Sequence, residues 1–305
     1  MNLLLLSLLS VFLYSLYIRI FKKASQYERE EGLDSHKIKT GTITMGGIIF
    51  AITPSLFFDY DSKIISIMVT IMLYAILGFI DDMLIIVKKN NNGINPNLKL
   101  LFQVIIAGIS FYLYLSLNLP TMIEIGSFKI EAKWIYGLFM LGLLSASTNA
   151  FNITDGVDGL CSGLCILLSA AFGYIAYEKA EYTIMYMHIC QIIVLFIFWC
   201  FNYPKAFLFM GDTGSLYLGS LYALSALYLN SLLGFIIMGG LFIFETCSVI
   251  IQVLYYKKTN GKRIFKMAPF HHHLEASGFS EIKVDIVFYI IQLLLIFIVI
   301  FFRLY

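Results

Sequence analysis

The sequence predicts an all-α polytopic membrane protein: about ten transmembrane helices, polar clusters gathered on the cytoplasmic side and a short extracytoplasmic β-hairpin. Three observations predict it. Hydrophobic residues make up 60% of the 305 residues and charged residues only 13%. Mean hydropathy is +0.85. Apolar runs of spanning length recur along the whole chain, and the polar clusters between them fall on alternate connections.

Each spanning helix needs about 20 mostly apolar residues. Taken in order, such runs lie near 2–21, 42–58, 64–87, 98–118, 133–150, 159–177, 183–201, 213–230, 232–256 and 284–304. The first, MNLLLLSLLSVFLYSLYIRIFKK, carries its charges after the apolar stretch and lacks a small-residue cleavage site. It reads as a spanning helix that stays, not as a signal peptide. The second is the weakest, because it opens with Gly and Thr and contains Pro54. Between the fourth and fifth, Met122–Glu131 alternates apolar and polar residues around Gly126-Ser127, the pattern of a hairpin. No internal repeat or interdomain linker interrupts the chain, so one integral membrane domain spans 1–305.

Orientation follows from Lys and Arg. The connections 22–41, 88–97, 151–158, 202–212 and 257–283, with their edges, hold fifteen basic residues, and the opposite connections hold five. The first set is therefore expected in the cytoplasm and both termini outside. A formal charge of +2 is too small to argue for nucleic acid as a partner. Cys161, Cys165, Cys190, Cys200 and Cys247 lie in or beside apolar runs without metal-ligand spacing, and read as small buried hydrophobes.

With this topology every polar cluster falls on the cytoplasmic side: Lys39–Gly47, Asp81-Asp82, Asn149–Gly159, Asn202 with Phe209–Ser215, and His271–Glu275. Acids near hydrocarbon are costly and usually mark a site. In NAFNITDGVDGL, Asn149, Asn152, Asp155 and Asp158 recur every three residues. On a helix they would share a face; in a loop the glycines would let backbone approach a ligand. The plain alternative is a polar turn that caps the next helix. Asp81 and Asp82 are expected to end an apolar helix, where mutual repulsion and the helix dipole both disfavour them unless a cation is bound. Asp212 in MGDTG stands where it could cap the following helix, with Thr213 or Ser215 sharing the task. Hard oxygen ligands from several segments suit Mg²⁺, which keeps waters and contacts phosphate. Three adjacent histidines diverge by about 100° each on a helix, so His271, His272 and His273 cannot all address one atom. Glu245 and Gln252, seven residues apart in the ninth run, face one way, and Gln252 joins the candidate substrate-binding residues.

Together NAFNITDGVDGL, FMGDTGSLYLG, GFIDD, GTITMGG and PFHHHLE resemble the polyprenyl-phosphate N-acetylhexosamine-1-phosphate transferases. PFHHHLEASGFSE resembles their phospho-N-acetylmuramoyl-pentapeptide transferase branch. The resemblance covers nearly the whole chain, with the motifs in family order. It implies an Mg²⁺-dependent enzyme with a catalytic cytoplasmic cleft in the bacterial plasma membrane, active in peptidoglycan synthesis and forming homodimers. It implies UDP-N-acetylmuramoyl-pentapeptide and the membrane lipid undecaprenyl phosphate as substrates, and lipid I and UMP as products. By motif, Asp212 is the Mg²⁺ ligand and catalytic, with Asp81 and Asp82 as catalytic acids beside the metal. Asn152, Asp155 and Asp158 line the nucleotide side, with Asn202 and Phe209 nearby. Lys39 and Thr44 contact the phosphate or sugar, and His271, His272 and His273 lie at the rim.

Two positions depart from the family pattern. Ile43 replaces a proline, and Ile85 replaces a basic residue whose role would pass to Lys88, Lys89 or Lys99. A lipid phosphate is largely dianionic at pH 7, so direct attack needs no strong base. A two-step route through an aspartyl phosphate is the competing mechanism. Three other readings are a related UDP-N-acetylglucosamine-1-phosphate transferase, a cation transporter and a non-catalytic scaffold. PFHHHLE argues against the first. A transporter would place its acids near the midplane, and a scaffold leaves the carboxylates unexplained.

The charge asymmetry yields a test. Single cysteines at Lys39, Lys88, Lys205 and Lys262 are expected to resist an impermeant thiol reagent applied to intact cells and to react after permeabilisation. Labelling of any one from outside would dismantle the assembled site.

Overall fold

The structure, a computed structural model, describes residues 2–21, 42–88, 93–125 and 128–305. Lys39 and Lys89 lie outside the described residues. Twelve α-helices carry most of the described chain. They are α1 (Leu3–Ile20), α2 (Gly47–Ile52), α3 (Ser62–Lys88), α4 (Pro96–Ser116), α5 (Ile135–Thr154) and α6 (Leu160–Glu178). There follow α7 (Tyr182–Asn202), α8 (Gly211–Tyr228), α9 (Leu232–Met238), α10 (Gly240–Lys258), α11 (Phe270–Glu275) and α12 (Glu281–Phe301).

Local chemistry explains several helix starts. Asn2 accepts the Leu5 amide at 3.1 Å, and Ser280 caps α12. Asn95 accepts the Asn97 amide at 3.0 Å while Pro96 takes the first helical position, where its missing N–H is no loss. The hairpin forms as the alternation predicts, with β1 (Met122–Ile125) antiparallel to β2 (Phe128–Glu131) and Met122 opposite Glu131. Its turn, Gly126-Ser127, lies outside the described residues.

Among the described residues seven helices are long and apolar enough to cross a membrane: α1, α3, α4, α6, α7, α10 and α12. The departures from about ten have physical causes. The second run does not form one long helix: α2 passes into a 3-10 turn, Thr53–Leu56, at Pro54. Its ten apolar residues rise only about 15 Å, half a hydrocarbon core. The ninth run breaks at Gly239 into α9 and α10. α5 and α8 are long enough but not apolar enough.

α8 explains its own low hydropathy. Every residue from Thr213 to Tyr228 is buried, so none faces lipid. It is the centre of the bundle, packed on α3, α5, α2, α6 and α9. Its small residues let neighbours come close, as membrane helices require. Gly78 of α3 lies against the backbone of Asp212 and Thr213, leaving no room for a Cβ. The outer helices have the opposite character: α12 exposes Ile290, Leu294, Phe297 and Phe301.

Gly78→Val is therefore expected to lower the melting temperature in detergent, the backbone collision costing at least about 1–3 kcal/mol. Gly108→Val meets open space and is expected to melt within about 2 °C of the wild type, since substitutions away from packed features are near neutral.

Candidate active site

The site is built where α3, α4, α5 and α8 meet. A helix start leaves unpaired amides that attract anions. At the start of α8 the anion comes from another helix. Asp82 Oδ1 accepts the Asp212 amide at 3.0 Å, and Asp82 Oδ2 accepts the Thr213 amide at 2.9 Å and its hydroxyl at 2.6 Å. This corrects two expectations. Asp212 is not the cap but sits inside the first turn of α8. Asp81 and Asp82 do not end their helix, because α3 runs on to Lys88. The charge of Asp82 is met by the α8 amides.

Asp81 and Asp212 face a shared cation. Lys99 Nζ lies 2.9 Å from Asp81 Oδ2 and 2.6 Å from Asp212 Oδ2. Asp81 Oδ1 also accepts the amide of Ile94. Asn152, in the last turn of α5, donates to Asp212 Oδ1 at 2.6 Å and to the Ser215 hydroxyl at 3.0 Å. Asn149 points elsewhere, donating to Ser145 of its own helix.

The motif Asn149–Gly159 is both helix and loop. α5 extends to Thr154, Asp155 ends it, and Gly159 opens α6 with φ +86°, a left-handed value that favours glycine. No side chain caps α6, so the plain alternative of a capping polar turn is not what this segment forms. Asp155 is half-buried, and its carboxyl is pushed up to about 8 by burial first, then by the charges of Asp212, Asp158 and Asp82.

A second ring supports this cluster. Asp158 accepts the Ala206 amide at 2.8 Å. Asn202 accepts the Gly159 amide at 2.8 Å and donates to the Leu208 carbonyl at 2.9 Å. Both are buried, tying the 155–159 loop to the 203–208 loop. The backbone of Phe209 accepts from Gly46 and donates to Ile43, each at 2.8 Å. Thr44 is buried beside them, its carbonyl accepting the Tyr17 hydroxyl at 2.9 Å.

The three histidines diverge as helical geometry requires. His271 is fully buried, with Nδ1 3.2 Å from Glu245 Oε2 and Nε2 against Gly156. His272 pairs with Glu275 at 2.7 Å. His273 Nδ1 accepts the Lys266 amide at 3.1 Å, with its ring among Phe265 and Phe270. Gln252 spends its amide on the 264–265 backbone: Oε1 accepts the amides of Ile264 and Phe265, each at 3.0 Å, and Nε2 donates to the Phe265 carbonyl at 3.0 Å.

Thus Asp81, Asp82, Asn152, Asp155 and Asp212 converge, while Thr44, Asp158, Asn202 and Phe209 stand behind them. His272 and His273 lie on α11 and Gln252 on α10, and His271 of α11 lies against Gly156 beside the cluster. Lys99 is central yet was only one of three candidates to replace the missing basic residue at position 85. Its signal was a single lysine in the first turn of an otherwise apolar helix.

The arrangement fits a phosphate chemistry in which carboxylates hold a cation. Fold and site together define a membrane-embedded transferase, and the chain belongs to glycosyl transferase family 4, whose model matches residues 64–230. More particularly, it is similar along most of its length to proteins named phospho-N-acetylmuramoyl-pentapeptide-transferase. The Enterococcus hirae protein is 38% identical over 290 residues, covering 89% of this chain and 87% of its own. That of Staphylococcus saprophyticus is 40% identical over 284 residues, covering 89% and 88%. That of Geobacillus kaustophilus is 37% identical over 300 residues, covering 94% and 92%.

Asp155 supplies a pH prediction. Its carboxyl keeps its proton to about pH 8 in the fold but releases it near the ordinary 3.8 when unfolded. Its contribution to stability is thus complete below about pH 4 and lost progressively up to about pH 8. In divalent-free detergent, Asp155→Asn is expected to match the wild type in melting temperature near pH 4 and to exceed it increasingly towards pH 8. A constant difference across that range would place the shift elsewhere.

Proposed function

We propose that this chain transfers phospho-N-acetylmuramoyl-pentapeptide from its UDP-linked donor to undecaprenyl phosphate, giving lipid I and UMP. The observation that carries the reading is the convergence of Asp81, Asp212, Lys99 and Asn152 at the start of α8, in a chain similar over nine-tenths of its length to proteins of that name. The related N-acetylglucosamine reading is not favoured, because those relatives carry the N-acetylmuramoyl-pentapeptide name.

In this mechanism an oxygen of the lipid phosphate attacks the donor phosphorus that bears the sugar. A new P–O bond forms, the pyrophosphate bond breaks, and UMP leaves with the electron pair. Asp82 holds the start of α8 against α3, which fixes Asp212. Asn152 orients one Asp212 oxygen, and Lys99 neutralises the facing pair of carboxylates. Lys99 is also a positive charge already placed at the cluster for an entering phosphate.

The Mg²⁺ proposal is consistent with this donor set in a limited way. Among the described residues no group of three or more His, Cys, Asp or Glu is arranged to hold a metal. Mg²⁺ commonly uses only one or two carboxylates, with waters and substrate phosphates completing its shell. Asp81 and Asp212 form such a pair, with a lysine ammonium already seated between them. They would hold the ion, which when bound supplies charge neutralisation to the pyrophosphate oxygens. A catalytic cleft facing the cytoplasm, termini outside, a homodimer and about ten membrane passes complete the reading, the second pass combining the short α2 and its 3-10 turn with the non-helical chain on either side.

UMP release from purified protein with the UDP-linked pentapeptide and undecaprenyl phosphate, with and without Mg²⁺, tests the whole. Within it, Asp212→Asn is expected to lower turnover about 10²–10³-fold while melting stays close to wild type, because Asp82 keeps the cap and Lys99 keeps Asp81. Near-normal turnover of this variant at low Mg²⁺ would end the metal assignment. Rescue by high Mg²⁺ would place the defect in metal affinity.

A further inference from the structure

We propose that Glu245, inside the spanning helix α10, is a positioning residue for the transfer site, acting through His271 on Gly156. The inference rests on the transferase reading and adds a residue that makes no contact with the carboxylate cluster.

A carboxylate in a spanning helix is costly unless its oxygens are met. Glu245 is fully buried. Oε2 accepts the Phe270 amide at 2.7 Å, Oε1 accepts the His271 amide at 3.1 Å, and His271 Nδ1 lies 3.2 Å from Oε2. Every one of these partners belongs to α11. One helical face of α10 therefore holds the segment at two points, Gln252 at Ile264 and Phe265 and Glu245 at Phe270 and His271.

The imidazole carries the contact onward. Its Nδ1 faces Glu245 Oε2 at 3.2 Å without a hydrogen bond to it, while the Phe270 and His271 amides fix the base of the ring on Glu245, so Nε2 points the other way. There it meets Gly156, where a Cβ would overlap it, and it has no hydrogen-bond partner. Gly156 follows Asp155, the residue through which α5 leaves the carboxylate cluster. A buried carboxylate satisfied by amides does little for stability that well-packed apolar groups could not do. What Glu245 adds is direction: it fixes where the ring lies and so how the DGVDG loop sits beside Asp212. For a metal-bound histidine an orienting carboxylate typically contributes about 10–100-fold, and an effect at the lower end of that range is expected where the histidine positions a loop instead.

The test combines kinetics with amide exchange. Glu245→Gln is expected to lower kcat about 10-fold or more, with the donor KM within about threefold, and Glu245→Asp to recover part of the loss. Glu245→Gln added to His271→Asn is expected to cost nothing further, because both act on one path. By hydrogen exchange, Glu245→Gln should loosen residues 268–276 and 154–160 together. If its melting temperature falls too far for comparison, Gly156→Ala, which leaves Glu245 intact, should lower kcat alone but not in a His271→Ala background. Wild-type-like turnover of Glu245→Gln, multiplying losses in the double variant, or loosening confined to 268–276 would each overturn the proposal. Were the wild type to release no UMP from the pentapeptide donor, the assigned reaction would fail, and the exchange result would still decide the role of Glu245.

Discussion

One ammonium between two carboxylates, at the edge of a hydrocarbon-packed bundle, is the interaction on which the rest of this site depends. Asp81, Lys99 and Asp212 come from α3, α4 and α8. All three are largely covered by protein, so leaving any one unpaired would carry a desolvation cost. Pairing them fixes how three helices meet. Asp82 adds a second constraint one residue away, since its charge is met by the amides that begin α8. Two adjacent acids on one helix thus do different work, one facing the cation and one fastening a neighbouring helix.

The same division runs through the Asn149–Gly159 motif. Asn152 and Asp155 face the cluster, whereas Asp158 holds Ala206 and Asn149 turns back to Ser145. Steps of three residues drift by about 60° each on a helix, so Asn149 already diverges from Asn152, and the helix ends at Thr154 before Asp158 is reached. Glycine decides that boundary. Gly159, at φ +86°, turns the chain into α6 where the other amino acids would be strained.

Much of the architecture was legible because hydrocarbon allows few solutions. Long apolar runs gave α1, α3, α4, α6, α7 and α12 near their expected limits, and alternation gave the hairpin. The failures share one cause: tertiary packing replaced lipid as the environment. The 42–58 run reads as a span by composition, yet Pro54 ends α2 in a short 3-10 turn. Asp212 looks like a cap because Asp is a good one, and no local rule announces that Asp82, far away in sequence, takes the place. Gln252, a candidate substrate-binding amide, bonds the 264–265 backbone, a partnership that no local pattern announces. Lys99 was hardest to rank, since its partners come from helices on both sides of it in the sequence.

The enclosure of α8 has a consequence for biogenesis. A segment enters the bilayer from the translocation channel on its own when its side chains prefer lipid to water. α8 does not meet that condition: it carries Thr213, Ser215, Ser220 and Ser225, and three tyrosines, on faces that all end up inside protein. The groups it needs are supplied by α3, α5, α6 and α7, which are synthesised earlier: Ser147 meets the Gly219 carbonyl, Ser169 meets Tyr222, and His188 meets Ser225. The central helix of this protein is thus a late arrival whose lodging depends on its predecessors. Damage to those earlier helices would surface first as a chain that fails to integrate, before any question of catalysis arises.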